Sequence, residues 1–416
     1  MDYKPRVVDA EIESSLRAAG AVLVEGPKAC GKTATALQVA ASSVRLDVDR
    51  AAREAAELAP GSLLGGRAPM LVDEWQLVPS LWDHVRRMVD DRSPLRGQFI
   101  LTGSASPSDE VRRHSGAGRF ARVAMRPMSL FESGHSNGDL TLRGVLDGED
   151  QQASSALTVE DVLERVVVGG WPDRQALPVE VAARSAWDYL SLVAEVDVSE
   201  VGGVRRDPAM VRRVLASLAR NNATEASMSR IAADTEGPEA PVYRTTAGEI
   251  TAVLEQLRIV ENAPAWGPHL RSRIPRRTSP KRHFVDPSLA AASLRATPAR
   301  LLRDLEWAGF LFESLVVRDL RVYAQPLGGQ VLHFRDAKGV EADAIVELAD
   351  GRWAAFEVKL GASRVDEAAA SLLRFVERVD TRRSGEPAAL GVITATGYGY
   401  RRPDGIHVIP IGALGP

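Results

Sequence analysis

Cysteine occurs once in the 416 residues, at Cys30, which excludes an internal disulfide framework and suits a reducing compartment. Lysine is nearly as scarce. Lys4, Lys28, Lys32, Lys281, Lys338 and Lys359 are the only ones, and arginine carries the rest of the positive charge. Such a bias reads as genome composition more than as function. No apolar run is long enough to span a bilayer. Met1-Asp2-Tyr3-Lys4-Pro5-Arg6 lacks the apolar stretch of a secretory signal, so a cytoplasmic protein is expected. The net charge of −3 gives no overall attraction to polyanions, and any nucleic-acid contact needs a local patch. A hydrophobic content of 45% excludes general disorder. The length exceeds one ordinary core, so several domains are expected.

Against those absences stands one complete motif. Gly26-Pro27-Lys28-Ala29-Cys30-Gly31-Lys32-Thr33 fits G-x-x-x-x-G-K-[ST], a phosphate-binding loop. Its context is right: Ala21-Val22-Leu23-Val24 reads as a buried parallel strand, and 33–41 as the helix that follows. Glycines let the main-chain N–H groups close on phosphate oxygens, and the helix N-terminus adds positive potential. The expected ligands are ATP and Mg²⁺, with Lys32 on the β- and γ-phosphates and Thr33 on the metal. Cys30 inside the loop reads as a filler.

The carboxylates for such chemistry follow in order. Met70-Leu71-Val72-Asp73-Glu74 is an apolar strand ending in two acids. Asp73 is expected to hold Mg²⁺ through water, and Glu74 to polarise the attacking water. On the next strand, Thr102 or Ser104 is placed either to sense the γ-phosphate or merely to cap the following turn. Among Arg119, Arg122 and Arg126, Arg119 is the chosen arginine finger, acting in cis or from a neighbouring subunit, because Gly118 frees the backbone beside it.

Alternation of strand-like and helix-like segments makes 1–135 an α/β domain with a parallel sheet. Its strands are expected near 21–24, 44–46, 70–72, 98–101 and 122–125. Residues 136–207 read as a polar linker, richest in Gly, Asp, Ser and Gln over 134–155, and then a helical lid. Within the lid, Trp171-Pro172-Asp173 reads as a corner between helices, or else a nucleotide-sensing turn. Residues 208–297 give three helical pieces and a hairpin formed by 259–262 and 283–285, the outline of a winged helix. Tyr243, Arg244, Thr245 and Thr246 open its expected recognition helix. A basic run without acids, Arg271, Arg273, Arg276, Arg277, Lys281 and Arg282, offers phosphate contacts. Such modules also dock proteins, and both partners stay open. Residues 298–416 return to mixed helix and strand.

In that order the parts resemble prokaryotic AAA-type ATP-binding proteins with a C-terminal domain of unknown function that has a restriction-endonuclease-like core. The resemblance covers nearly the whole chain. It rests on Tyr3-x-Pro5-Arg6, Gly26 to Thr33, Asp73-Glu74-Trp75-Gln76, Leu101-Thr102-Gly103-Ser104 and Gly118-Arg119. It continues through Pro127-x-Ser129-x-x-Glu132, Gly169-Gly170-Trp171-Pro172, Phe284-Val285-Asp286, Phe312-Glu313 and Phe356-Glu357-Val358-Lys359. It implies a P-loop domain, a helical lid with a winged helix, and a nuclease-like α/β domain. It also implies Arg6 near the base or phosphates. It supplies no substrate.

The last motif has a physical reading of its own. A period of two sends Glu357 and Lys359 to one face of a strand, with Asp343 across the ladder from Glu357. Adjacent carboxylates repel unless a cation or a proton lies between them. Phosphodiester cleavage needs that arrangement: Asp343 and Glu357 are expected to bind metal, Glu313 to add a third carboxylate, and Lys359 to orient or deprotonate water. Ala342 stands where such motifs usually carry proline. The expectation is thus a Mg²⁺-dependent ATPase controlling a nuclease-like module on DNA. The alternative is a nucleotide-gated regulator or scaffold that binds DNA or protein without cutting.

Overall fold

The computed structural model describes residues 3–103, 116–236, 241–267, 279–336 and 338–416. Two units divide the chain: residues 1–127 with 256–258, and residues 128–255 with 259–416.

In the first unit, helix α1 (Asp9–Ala18) precedes β1 (Ala21–Glu25), and α2 (Lys32–Leu37) follows the loop. Then come β2 (Ser42–Arg45), α3 (Arg50–Leu58), β3 (Met70–Asp73), α4 (Leu81–Asp91), β4 (Phe99–Gly103) and β5 (Phe120–Ala124). All five strands are parallel, in the order β2-β3-β4-β1-β5. The three central strands are buried throughout, which is why they read as unbroken apolar runs. Helix α4 turns Leu81, Trp82, Val85 and Val89 onto one face, where Trp82 stacks on Phe120 at 4.1 Å between ring centroids. The carboxyl ends of β1, β3 and β4 lie side by side, with Val24 beside Thr102 and Thr102 beside Asp73. That edge carries the site.

The second unit centres on a seven-stranded mixed sheet. Its strands are β6 (Ala153–Ser155), β7 (Gln330–Arg335), β8 (Glu341–Glu347), β9 (Trp353–Lys359), β10 (Ala389–Thr394), β11 (Gly397–Arg401) and β12 (His407–Pro410), in the order β6-β11-β12-β10-β9-β8-β7. The composition of 134–155 suggested a linker, yet β6 pairs with β11, and Leu140–Thr141 pairs with Leu414–Gly415. Thr141 caps the following helix, its hydroxyl accepting from the Gly144 amide, and the Ser136 hydroxyl donates to the Leu414 carbonyl.

Helices α5 (Val159–Val168), α6 (Val179–Leu192), α7 (Pro208–Arg220), α8 (Met228–Ala233), α9 (Arg244–Gln256) and α10 (Pro287–Ser293) precede the 20-residue α11 (Leu305–Ala324). Helix α11 is buried almost all round, and α12 (Val365–Val376) turns Phe375 toward Trp266 and Trp353. The hairpin expected after α9 is reduced to isolated antiparallel bridges, Val260 with Phe284 and Ala263 with Lys281. The Trp171 corner is a 3-10 turn, Pro172–Arg174, with Trp171 buried under the Arg174 guanidinium at 4.6 Å.

Several quoted motifs meet in one buried polar network. Ser129 and Glu132 form a capping box on the short helix Leu130–Ser133. The Leu130 amide donates to Asp319 (3.0 Å), and Arg318 donates to Asp319 and to Asp286 (2.8 Å each). Asp286 also accepts from the Gly170 amide at 3.0 Å. A Cβ on Gly170 would lie 2.2 Å from the Met128 carbonyl oxygen, so only glycine fits there. Arg318→Met leaves two buried carboxylates without their cation and is expected to cost about 3–5 kcal/mol of unfolding free energy in urea. A loss below about 0.5 kcal/mol, typical of surface substitutions, would reject this role for the network.

Candidate functional site

The phosphate loop follows directly from β1. Ala29 and Gly31 take φ of 60° and 105°, turns that aim successive N–H groups into one concavity. A Cβ on Gly26 would lie 2.2 Å from the Met125 carbonyl oxygen, so the loop runs too close to its neighbour for any side chain. Cys30 is wholly buried among Val24, Ala36 and Met125, which makes it the filler expected. Lys32 folds its ammonium back on the loop, donating to the carbonyls of Gly26 (3.0 Å) and Pro27 (2.8 Å). Arg6 donates to the Cys30 carbonyl at 3.0 Å and to the Arg126 carbonyl at 2.8 Å. It therefore braces the loop's main chain.

Three oxygen-bearing side chains converge on the neighbouring strand ends. The hydroxyls of Thr33 (2.9 Å) and Thr102 (2.5 Å) both donate to Oδ1 of the buried Asp73. Glu74, next in the chain, takes a left-handed backbone (φ 53°) and accepts from the Gln76 side-chain amide. Hard oxygen donors at a carboxyl edge suit Mg²⁺, and a glycine-tight loop with an ammonium suits phosphate. The residues present fit both groups, with Thr33 and Asp73 as the pair to hold the metal.

The arginines arrange themselves differently from expectation. Arg119 precedes β5, and its carbonyl accepts from the Ala21 amide, at the amino end of the strands. The loop leaves from the other end, so the structure does not bring Arg119 to it. Arg119 pairs with Asp90 at 2.7 Å instead. Arg122 pairs with buried Glu25 at 2.5 Å. Besides Arg6 on the loop, Arg45 reaches the site, with Nε 3.6 Å from Asp73 Oδ2. Sequence reading passed over it, although a position at the end of a strand paired with β3 was the available signal. Ser104 lies outside the described residues.

A second constellation forms in the second unit. Asp343 on β8 lies one step beyond the last ladder pair, Phe356 with Ala344, and accepts the Val358 amide at 2.9 Å. Lys359 donates to Glu357 (2.6 Å) and stands 3.5 Å from Asp343. Glu313 on α11 does join them, but through Lys281. That ammonium lies 2.5 Å from Glu313 and 3.2 Å from Asp343. Lys281 is thus no phosphate contact, and neither is Arg282, which is buried and donates to the Ala226 carbonyl. Arg271, Arg273, Arg276 and Arg277 lie outside the described residues.

Among the described residues no group of three metal-ligating side chains is arranged to hold an ion. The carboxylates fit a metal poorly because ammonium groups already face Glu313 Oε1, Asp343 Oδ1 and Glu357 Oε2, although Glu357 Oε1 is buried without a hydrogen-bond partner among the described residues. Burial raises Glu313, to about 8, against the pull of Lys281. Burial and then Asp343 raise Glu357, to about 7. Burial would raise Asp343 as well, but Lys281 and Lys359 outweigh it and hold Asp343 below its ordinary value. The same acids keep Lys281 charged despite its burial.

A raised carboxyl keeps its proton in the folded state while the unfolded chain loses it. Glu357 therefore lowers stability as pH rises from 4.5 to about 7, by on the order of 1 kcal/mol per unit. His283, and His333 pushed down to about 4, slope the other way below 6.5, so the informative quantity is parent minus variant. Glu357→Gln is expected to flatten the fall between pH 5 and 7 in urea titrations. Parallel pH curves for parent and variant would show that Glu357 titrates normally.

With that geometry in place, the first unit is an AAA-type ATP-binding unit. Residues 18–133 match the family model of an AAA domain. Residues 159–300 and 308–414 match two families described as domains of unknown function, DUF8612 and DUF4143. No curated protein matches the chain. Among solved structures, the Walker-type ATPase PABY2304 of Pyrococcus abyssi is similar at 13% identity and a TM-score of 0.37, over 70% of this chain and 99% of that one. A STAND ATPase with a tetratricopeptide repeat sensor, PH0952 from Pyrococcus horikoshii, is similar at 12% identity and 0.18, over 76% and 51%. Overlays this loose carry no argument about the present chain. No described helix is long and apolar enough to cross a membrane.

Proposed function

We propose that the chain is a Mg²⁺-dependent ATPase whose nucleotide state controls its second unit. One observation carries the reading: Lys32, Thr33, Asp73 and Thr102 converge at one sheet edge, beside a glycine with no room for a side chain. Lys32 exchanges its two loop carbonyls for phosphate oxygens. Thr33 and Asp73 hold the metal, which when bound neutralises charge on the triphosphate. Thr102 keeps Asp73 oriented, and Glu74 accepts a proton from the attacking water. Calorimetry with ATP and Mg²⁺ tests the reading. A chain with no measurable heat of binding would overturn it.

For the second unit the expected nuclease-like module has a specific observation in its favour, the meeting of Asp343, Glu357 and Lys359. The pairing of Lys281 with Glu313 and Asp343 favours the other reading, a nucleotide-gated regulator or scaffold that binds DNA or protein without cutting. A winged helix over 208–297 is proposed as its docking element. Tyr243, Arg244 and Thr245 are exposed at the start of α9, the end that meets bases in such modules. Cleavage assays on plasmid and branched DNA with Mg²⁺ or Mn²⁺ compare the parent with Glu357→Ala. Cleavage by the parent that the variant loses would establish the nuclease; none by either supports the regulator.

A further inference from the structure

We infer that Lys281 is the resident cation of the acidic cluster in the second unit and keeps divalent metal ions out of it. The inference rests on the second reading above, in which that unit binds without cutting. A hard divalent ion needs several oxygen ligands at about 2.0–2.6 Å. Here four carboxylate oxygens of the cluster already face a donor, and Glu357 Oε1 is buried without a hydrogen-bond partner among the described residues. Glu313 Oε1 and Asp343 Oδ1 face the Lys281 ammonium, at 2.5 and 3.2 Å. Asp343 Oδ2 accepts the Val358 amide at 2.9 Å, and Glu357 Oε2 accepts from Lys359 at 2.6 Å.

The backbone around Lys281 is pinned as firmly as its side chain. Its amide and carbonyl both bond to Ala263, at 2.9 Å each, so the ammonium is delivered from a fixed main chain. The side chain is about 11% exposed and its two partners no more than 9%. Charge counting points the same way. Three carboxylates and two ammonium groups leave one negative charge, which a single proton satisfies. A divalent ion would instead leave a buried positive excess beside the Lys281 ammonium, and like charges in a dry site repel strongly.

The test uses the full chain without nucleotide, carrying Asp73→Asn so that the first unit's carboxylate does not compete. Mn²⁺ binding is read by electron paramagnetic resonance. This parent is expected to bind no Mn²⁺, whereas Lys281→Ala gains one ion per chain and loses it again on adding Asp343→Asn. Lys281→Met, which restores packing without charge, repeats the comparison if the alanine variant does not fold. One Mn²⁺ bound by the parent and abolished by Asp343→Asn would overturn the inference. So would a folded Lys281 variant that binds none. Should neither variant fold, the parent decides alone: no Asp343-dependent ion supports the inference. DNA cleavage in EDTA that disappears with Glu357→Ala would end the non-cutting reading and leave the role of Lys281 standing.

Discussion

Lys32→Ala is expected to lower ATP affinity about 100-fold or more and to abolish turnover. In the proposed complex the ammonium would make charge-assisted hydrogen bonds to two phosphates, each contributing about 1.5–3 kcal/mol. No other ammonium in the loop has its place: Lys28 is exposed, whereas Lys32 is buried with its head between the Gly26 and Pro27 carbonyls. Those carbonyls lose a donor in the variant, at a cost of about 1 kcal/mol in the nucleotide-free protein. Melting temperature should therefore fall slightly while the circular dichroism spectrum stays unchanged. Calorimetry with ATP and Mg²⁺ is the measurement, and an affinity equal to that of the parent would contradict the loop assignment.

Glu74→Gln separates binding from chemistry. The substitution keeps shape and keeps an oxygen to accept from Gln76, but removes the negative charge that draws a proton from water. General-base catalysis contributes about 10²–10⁴, so turnover should fall by that factor while ATP affinity stays close to the parent's. Asp73 differs, because its oxygens are engaged by Thr33, Thr102 and Arg45. Single-turnover phosphate release distinguishes the two acids. Unchanged turnover in Glu74→Gln would remove that residue from the mechanism and leave Asp73 as the only acid at the edge with a role.

Much of the first unit was legible before any coordinates, for a physical reason. A parallel strand buried on both faces needs an unbroken apolar run, and the runs at 21–24, 70–72 and 98–101 all became strands. The loop and Asp73 were legible because phosphate chemistry restricts residue type at short spacing. Arg119 does not serve as a finger within its own chain: a flanking glycine says nothing about which end of a strand a residue occupies. The direction of β5 relative to β1 settles that, and it follows once five parallel strands are assumed.

Lys281 misled more deeply. In sequence it belongs to a basic run with no acid among its members, yet one of its acids, Asp343, lies 62 residues on. Long-range pairing of that kind leaves no local pattern. The scarcity of lysine was the only hint, since an arginine-biased chain keeps few lysines and two of them meet this one cluster. The stretch 134–155 erred for the opposite reason. Serine, threonine, glycine and aspartate suit linkers and helix caps equally, so composition alone did not separate them.

The Arg318 network bears on how the two families of unknown function can be handled. Their matched segments end at 300 and begin at 308, which invites expression of either piece alone. Arg318 belongs to the later piece and Asp286 to the earlier, and both are buried. A fragment starting at 308 would leave the Arg318 guanidinium with Asp319 but without Asp286, and one stopping at 300 would leave Asp286 without its cation. The two named families should behave in the test tube as halves of a single cooperative folding event.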